Sequence, residues 1–570
     1  MITVKDHSTG RLFDPWAYLG PKRRKLLENS WAGVFRTYLL EKLPVSKVAK
    51  HFNDWTGRPT KELHTAIGVV LLQQLHDLSD PEVTRAMAFN LDWQYALDII
   101  DESDAGSYLS ERTLRNYRRI IIDANLEKVL FNELTDTLIA AFDVDTSKQR
   151  LDSTIIRSNM RKYGRILICA TTIRKFLKKL RRTHKKLYDS LITAEIIERY
   201  MAKNSENIFS RVKPSGTSKT LQDVGNDLLY LIECFRPYET VCALPEYQLL
   251  ERVLSEQFTV TGSGPDATVT SRPPKEVPSD SLQNPSDPDA AYDSHKGSGY
   301  QAQIMETYHE TKDKKKPNLI TYVDVEPANI HDSHALQPAI DAVSERGCTP
   351  DELVCDTLYG SDDNVQQAVP KHVKVIAPVQ STGSSGETAL CDFTFDPDTN
   401  FATRCPEGHE PVRVRRTKKL SIIASFDREV CGVCPRRTSC PIYLGKRAAS
   451  LYYTDTEARN AQRRAFEQTT TFKDRYRWRA GIEGTNSHLK NDVGADRLRV
   501  RGLVAVRFAV TLKALGLNIL RCAEALSAAP RALITTLFGL KSSNTAFVCS
   551  LYDKILTFVS IDARQLKCAS

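Results

Sequence analysis

"QRLDSTIIRS", residues 149–158, is where the chain changes period. Upstream, apolar residues recur at helical spacing. Here β-branched residues take over, and the stretch reads as a strand carrying Asp152. Its partners come later. "GYQAQIMETY" (299–308) and "NLITYVDVEP" (318–327) read as strands, and "SHALQPAIDAVSERG" (333–347) as a helix. "ELVCDTLYGS" (352–361) is a short apolar strand ending at Asp356 and a glycine turn; a helix near 362–369 and the strand "HVKVIAP" (372–378) complete the set. Strand, insertion, two strands, helix, strand, helix, strand predicts an α/β sheet, with Asp356 at a strand's carboxyl end, where such sheets place ligands.

Outward from this core, residues 1–145 read as helical. "TKELHTAIGVVLLQQL" (60–75) has helical spacing, and "DPEVTRAMAFN" (80–90) opens with Asp80 as N-cap and Pro81 at the first helical position. "LSERTLRNYRRIII" (109–122), capped by Ser110, carries Arg112, Arg115, Arg118 and Arg119. Short helices ending in an arginine-rich one resemble a helix-turn-helix arrangement, so 1–145 is expected to be a DNA-binding domain, with a purely structural bundle as the alternative. The core is expected at 146–160 and 290–380, a helical insertion at 161–260 and a mobile Pro/Ser/Gly/Asp-rich loop at 261–289. A cysteine-rich insertion (381–470), a helical segment (471–525) and a tail (526–570) follow.

At 41% hydrophobic, 570 residues can bury a large core divided among several domains. The net charge of +9 is modest, but the bases cluster in "IRKFLKKLRRTHKK" (173–186), "RVRRTKK" (413–419), "RNAQRRAF" (459–466) and "RLRVRG" (497–502). Each alone could be a solvated face; together they suit a polyanion. The amino terminus lacks an apolar signal core, and "GLVAVRFAVTLKALGLNIL" (502–520) carries Arg507 and Lys513, which predicts a core helix rather than a membrane span. Thirteen cysteines without a signal peptide point to a reducing, cytoplasmic setting.

"YRWRAGIEGTNSHLK" (476–490) holds one carboxylate, Glu483, among bases. On one continuous helix, Tyr476, Arg479, Glu483 and Lys490 fall within an arc of roughly 60°. The plain alternative is an exposed mixed-charge face. With Asp152 and Asp356, however, Glu483 makes a third acid in a basic protein. Carboxylates repel a phosphate backbone unless divalent metal lies between them. Three acids without a histidine ligand suit Mg²⁺ and phosphoryl transfer, with Arg479 and Lys490 on phosphate and Tyr476 near a DNA end.

The spacing Y-x2-R-x3-E-x6-K resembles the signature around the catalytic Glu of DDE transposases from bacterial insertion sequences. "LDSTIIRSNM" and "CDTLYGSDDNV" resemble that family's first-Asp and second-Asp motifs. "DPDAAYDSHKGSGYQAQI" and "VEPANIHDSHAL" resemble its second and third strand regions, and "RLRVRGLVAVRFAVTLKALGLNILR" its closing helix; the likeness runs from about residue 10 to 525. It implies a ribonuclease H-like core, Mg²⁺ (or Mn²⁺) on Asp152, Asp356 and Glu483, and cleavage and strand transfer on terminal inverted repeats and target DNA by a homodimer. Arg499 and Arg501 join the expected DNA contacts. Cys405, Cys431, Cys434 and Cys440 in "CPEGHEPV" and "CGVCPRRTSC" suit a closed structural Zn²⁺ site, with His409 as an alternative ligand. A catalytically silent DNA-binding regulator and a stand-alone structure-specific nuclease are the rival readings.

Overall fold

The computed structural model describes residues 1–7, 14–203, 209–262, 264–311, 313, 315–380, 389–418 and 421–538. Strand β1 (Lys148–Ile156) is followed, after the helical insertion, by a hairpin of β2 (Phe258–Thr261) and β3 (Thr268–Ser271). Then come β4 (Ala291–Asp293), β5 (Gly297–Thr307), β6 (Ile320–Pro327), β7 (Glu352–Cys355) and β8 (Lys374–Ile376). Together β1 and β4–β8 form one mixed sheet. β5 pairs antiparallel with β1 on one side and β6 on the other, whereas β7 and β8 extend the sheet parallel to β1.

Alternation along β5 gives each face its own core. Ile304 points into an apolar cluster shared with the amino-terminal helices and the helix Leu503–Phe538. Met305, its neighbour, packs with Leu151, Leu336, Ile340 and Leu353 on the opposite face. The amino-terminal helices and the sheet therefore share one core. That long helix is apolar enough to cross a membrane by length and composition, yet 72% of its apolar window is buried inside the protein. Two of its cations also pair with acids of other elements: Lys513 with Asp77 at 2.9 Å and Arg507 with Asp324 at 3.3 Å.

Several local expectations shift. The helix Asp80–Phe89 takes Ser79 as N-cap, and Glu82 reaches back to the Ser79 backbone N–H at 2.7 Å. Asp80 instead receives both Nη atoms of Arg118, at 2.7 and 3.0 Å, which ties that arginine down within the bundle. Residues 261–289, expected as a mobile loop, contribute strand β3, and Asp287 is fully buried, accepting from Ser158, Tyr300 and the Gly502 backbone. The insertion's helices Arg165–Thr183, Thr217–Phe235 and Pro245–Gln257 enclose a separate core around Phe176, Phe235 and Tyr247. The cysteine-rich segment builds its own small core on β9 (Thr394–Phe395), β10 (Ala402–Arg404), β11 (Arg413–Arg416), β12 (Ser421–Phe426), β13 (Tyr443–Leu444) and β14 (Ala449–Thr454). Of the expected tail, 539–570 lies outside the described residues.

Candidate active site

Parallel pairing places the two aspartates side by side. Leu151 of β1 is in register with Cys355, the last residue of β7, so Asp152 and Asp356, one residue further on, start from backbones about 5 Å apart. Asp356 has just left its strand and caps the short turn Thr357–Tyr359, accepting the Thr357 N–H at 2.7 Å.

The segment carrying Glu483 is not the single helix expected. The helix Thr470–Tyr476 tightens into a 3₁₀ turn, Arg477–Ala480, before the helix Gly481–Asn491 begins. A 3₁₀ turn advances about 120° per residue rather than 100°, which breaks the single stripe. What survives is the i,i+4 relation of Arg479 to Glu483. One guanidinium meets all three acids: Nη2 lies 3.4 Å from Asp152 and 3.5 Å from Asp356, and Nη1 lies 3.3 Å from Glu483. The three carboxylates thus converge from a strand, a strand end and a helix onto one cation.

Their environments differ. Asp152 has a side chain only 14% exposed, whereas that of Glu483 is 67% exposed. Burial pushes the Asp152 carboxyl up to about 6, with Asp356 and Asp332 adding to the shift and Arg479 opposing it. Asp332, which sequence reasoning missed, is a buried fourth acid held by Lys296 at 2.8 Å through both carboxylate oxygens. Oxygen donors in excess over one arginine are a set that fits a hard divalent cation.

Of the other residues expected to contact DNA, Tyr476 stays beside the acids and the rest lie beyond Glu483. Tyr476 stacks on Phe472 at 5.3 Å; burial, helped by Asp356, pushes its phenol up to about 12, so it stays a neutral donor. Lys490 is two turns beyond Glu483, where burial lowers its ammonium and its charged neighbours are Asp496 and Arg157. Arg499 donates to the Asp77 carbonyl at 2.8 Å and Arg501 to the Asn159 carbonyl, both from exposed positions.

A buried network fixes the Glu483 helix to β1. Glu306, fully buried on β5, accepts from Arg150 at 2.7 Å, Thr485 at 2.6 Å and Arg521 at 2.8 Å. Burial alone would raise the Glu306 carboxyl, but Arg521 and Arg150 outweigh it and hold it below the usual range. Arg150 also donates to the Trp478 carbonyl at 2.7 Å, so the residue two before Asp152 grips the turn bearing Arg479. Space for that grip requires Gly481, since a Cβ there would sit 1.9 Å from Arg150 Nη1. Gly481→Ala should therefore destabilise the fold by about 1–3 kcal/mol, against the usual preference for alanine in helices. Gly484→Ala, whose Cβ meets nothing within 4 Å, should be neutral or stabilising. Equal melting temperatures for the two variants would contradict this packing.

Two further clusters contain metal-ligand residue types. Cys405, Cys431, Cys434 and Cys440 line one small cavity together with His409. The turn Cys405–Gly408 closes with a Gly408 N–H to Cys405 carbonyl bond of 2.9 Å, and Gly408 takes φ +84°. His7, Glu62 and His64 also approach within 4.8 Å. There the carboxylate caps the helix Leu63–Leu75: it accepts from the His64 and Thr65 backbones, the Thr65 hydroxyl and the His64 ring. Both Glu62 oxygens are occupied in capping, and His7 turns its Nδ1 to Asp98 at 3.2 Å, so the carboxylate serves the helix end.

Family comparison gives two matches. A model described as "Transposase DDE domain" matches residues 404–523, spanning the four cysteines, Arg479 and Glu483. A model described as "Transposase domain (DUF772)" matches residues 25–119 among the amino-terminal helices. No curated protein and no solved structure gave a match.

Proposed function

We propose that this chain, a DDE transposase of an insertion sequence by its two family matches, cleaves DNA at its element's ends and joins them to a target. Families of this kind act on DNA and serve transposition. The observation that carries the finer reading is the convergence of Asp152, Asp356 and Glu483 on Arg479. The order of three antiparallel strands extended by two parallel ones supports a ribonuclease H-like core.

Asp152, Asp356 and Glu483 would hold Mg²⁺ or Mn²⁺, which supplies charge neutralisation and an activated oxygen nucleophile at a phosphodiester. The chain's own residues do the rest. Arg479 offsets part of the acids' charge, and its in-plane N–H donors suit a phosphate oxygen. The Glu306 network holds the Arg479 turn and the Glu483 helix against β1, so that the acids meet in one arrangement. Raised by burial, the Asp152 carboxyl is a poor anion until a cation compensates it, which couples charge in the site to cation binding. Two element ends must be brought together, so we assign a homodimer to the active complex.

Excision and reinsertion in cells, with the gene's own flanking DNA as donor, test this function. Wild type and Arg477→Gln should move the element, and Glu483→Gln should not while still binding the ends. Equal movement by all three would remove Glu483 from the site. Binding without movement by any of them would favour the silent regulator.

We also assign a structural Zn²⁺ to Cys405, Cys431, Cys434 and Cys440, supported by the cavity these four thiols share. The purified protein should carry one zinc per chain by elemental analysis, and Cys434→Ser should lose it and melt earlier. Zinc-free protein with unchanged melting would overturn the assignment.

A further inference from the structure

The helix Arg165–Thr183 buries Phe176, Leu177 and Leu180 in the insertion's core and turns bases outward. Lys175, Lys178, Lys179 and Arg182 stand at positions i, i+3, i+4 and i+7 and form one ridge roughly 10 Å long. With Arg181 they line an open cleft in which Glu246, on the helix Pro245–Gln257, is the sole acid among the lining residues. Like charges at these spacings repel, so the ridge weakens its own helix unless an anion meets it.

The basic segment 497–501 pairs with the end of β1 and approaches the cleft through Arg501. Residues 496–500 run beside the end of β1: the Arg157 N–H donates to the Asp496 carbonyl at 3.1 Å, and the Leu498 N–H to the Arg157 carbonyl at 2.8 Å. Arg501, bonded to the Asn159 carbonyl, lies close enough to Lys175 for its charge to lower that ammonium. Arg157 follows Asp152 by five residues, roughly 16 Å at strand rise. Arg157, Arg497 and Arg501 therefore mark a basic edge from the end of β1 toward the insertion.

We propose that the cleft of Lys175, Lys178, Lys179 and Arg182 is a second DNA site, holding backbone phosphates of the duplex that flanks the cut. This rests on the transposase reading. The ridge is about as long as three successive phosphates along one strand, where a single small anion would need only one pocket. Lysine and arginine with no Asn or Gln in the lining position a backbone without reading sequence.

The test uses the full-length protein and Lys178→Gln/Lys179→Gln/Arg182→Gln, with fluorescence anisotropy on a duplex of the gene's flanking DNA across 0.1–0.4 M KCl. Lys178 and Arg182 are exposed and Lys179 half-buried, and all three accept glutamine without loss of helix propensity. The slope of log affinity against log salt should become shallower by about 2–3, with a similar loss on an unrelated DNA duplex. A wild-type slope and affinity, or a loss confined to an RNA duplex, would overturn the proposal. Cleavage is scored in the same samples. A wild type that binds but does not cut counts against the transposase reading, whereas a cutting wild type with an unchanged variant slope counts against the cleft alone.

Discussion

Asp152→Asn is expected to abolish end cleavage, by about 10³-fold or more, while making the protein more stable at pH 7 in the presence of a chelator. The two effects share one cause. The carboxyl is raised from 3.8 to about 6 in the fold, chiefly by burial. Between those values the unfolded chain has released the proton and the folded chain still holds it, so stability falls as pH rises from about 4 to about 6. At pH 7 the buried carboxylate costs on the order of 3 kcal/mol, which asparagine removes. At pH 4, where the folded acid is already neutral, the gain should largely vanish. Denaturant unfolding at the two pH values checks this. Equal stability at pH 7, or a gain that persists undiminished at pH 4, would contradict a desolvated acid at this position.

Glu306→Ala carries the largest expected loss of stability. It would strand two guanidiniums and a threonine hydroxyl around a site where the carboxylate is fully buried. Removing one partner of a buried ion pair costs about 3–5 kcal/mol, because the remaining charge stays desolvated. End cleavage should fall as well, although none of the three acids proposed to hold metal is touched, since Arg150 would lose the anchor that lets it hold the Trp478 carbonyl. Glu306→Gln keeps an acceptor but not the charge and should lie between the two. A loss below about 1 kcal/mol in Glu306→Ala would show that the network does not fix the Glu483 helix.

Part of this candidate site is legible in the sequence. Asp152 stands out as an acid within a β-branched strand and Asp356 as one at an apolar strand's end, and Arg479 with Glu483 follows from helical i,i+4 spacing. The Glu306 network was not legible. Its partners lie 156 and 215 residues away in sequence, and only the closed sheet brings them together. The same holds for Lys296 and Asp332. The 3₁₀ turn at Arg477–Ala480 was hidden by a sequence that reads as continuous helix, although Gly481 marks the close approach that follows it. The hairpin of β2 and β3 did leave a trace in the Thr/Val alternation of 258–261 and 268–271, which the surrounding Pro, Ser and Gly obscured.

Metal-dependent strand cleavage is the most direct measurement. Purified wild type, Asp356→Asn and Glu483→Gln would be incubated with a duplex spanning one element end, in Mg²⁺ and in chelator, and nicks mapped to the nucleotide. Nicking at the element boundary by wild type in Mg²⁺ alone, with both variants bound but inactive, is the expected result. Cleavage by either variant at the wild-type rate, or by wild type in chelator, would contradict a centre built from these carboxylates.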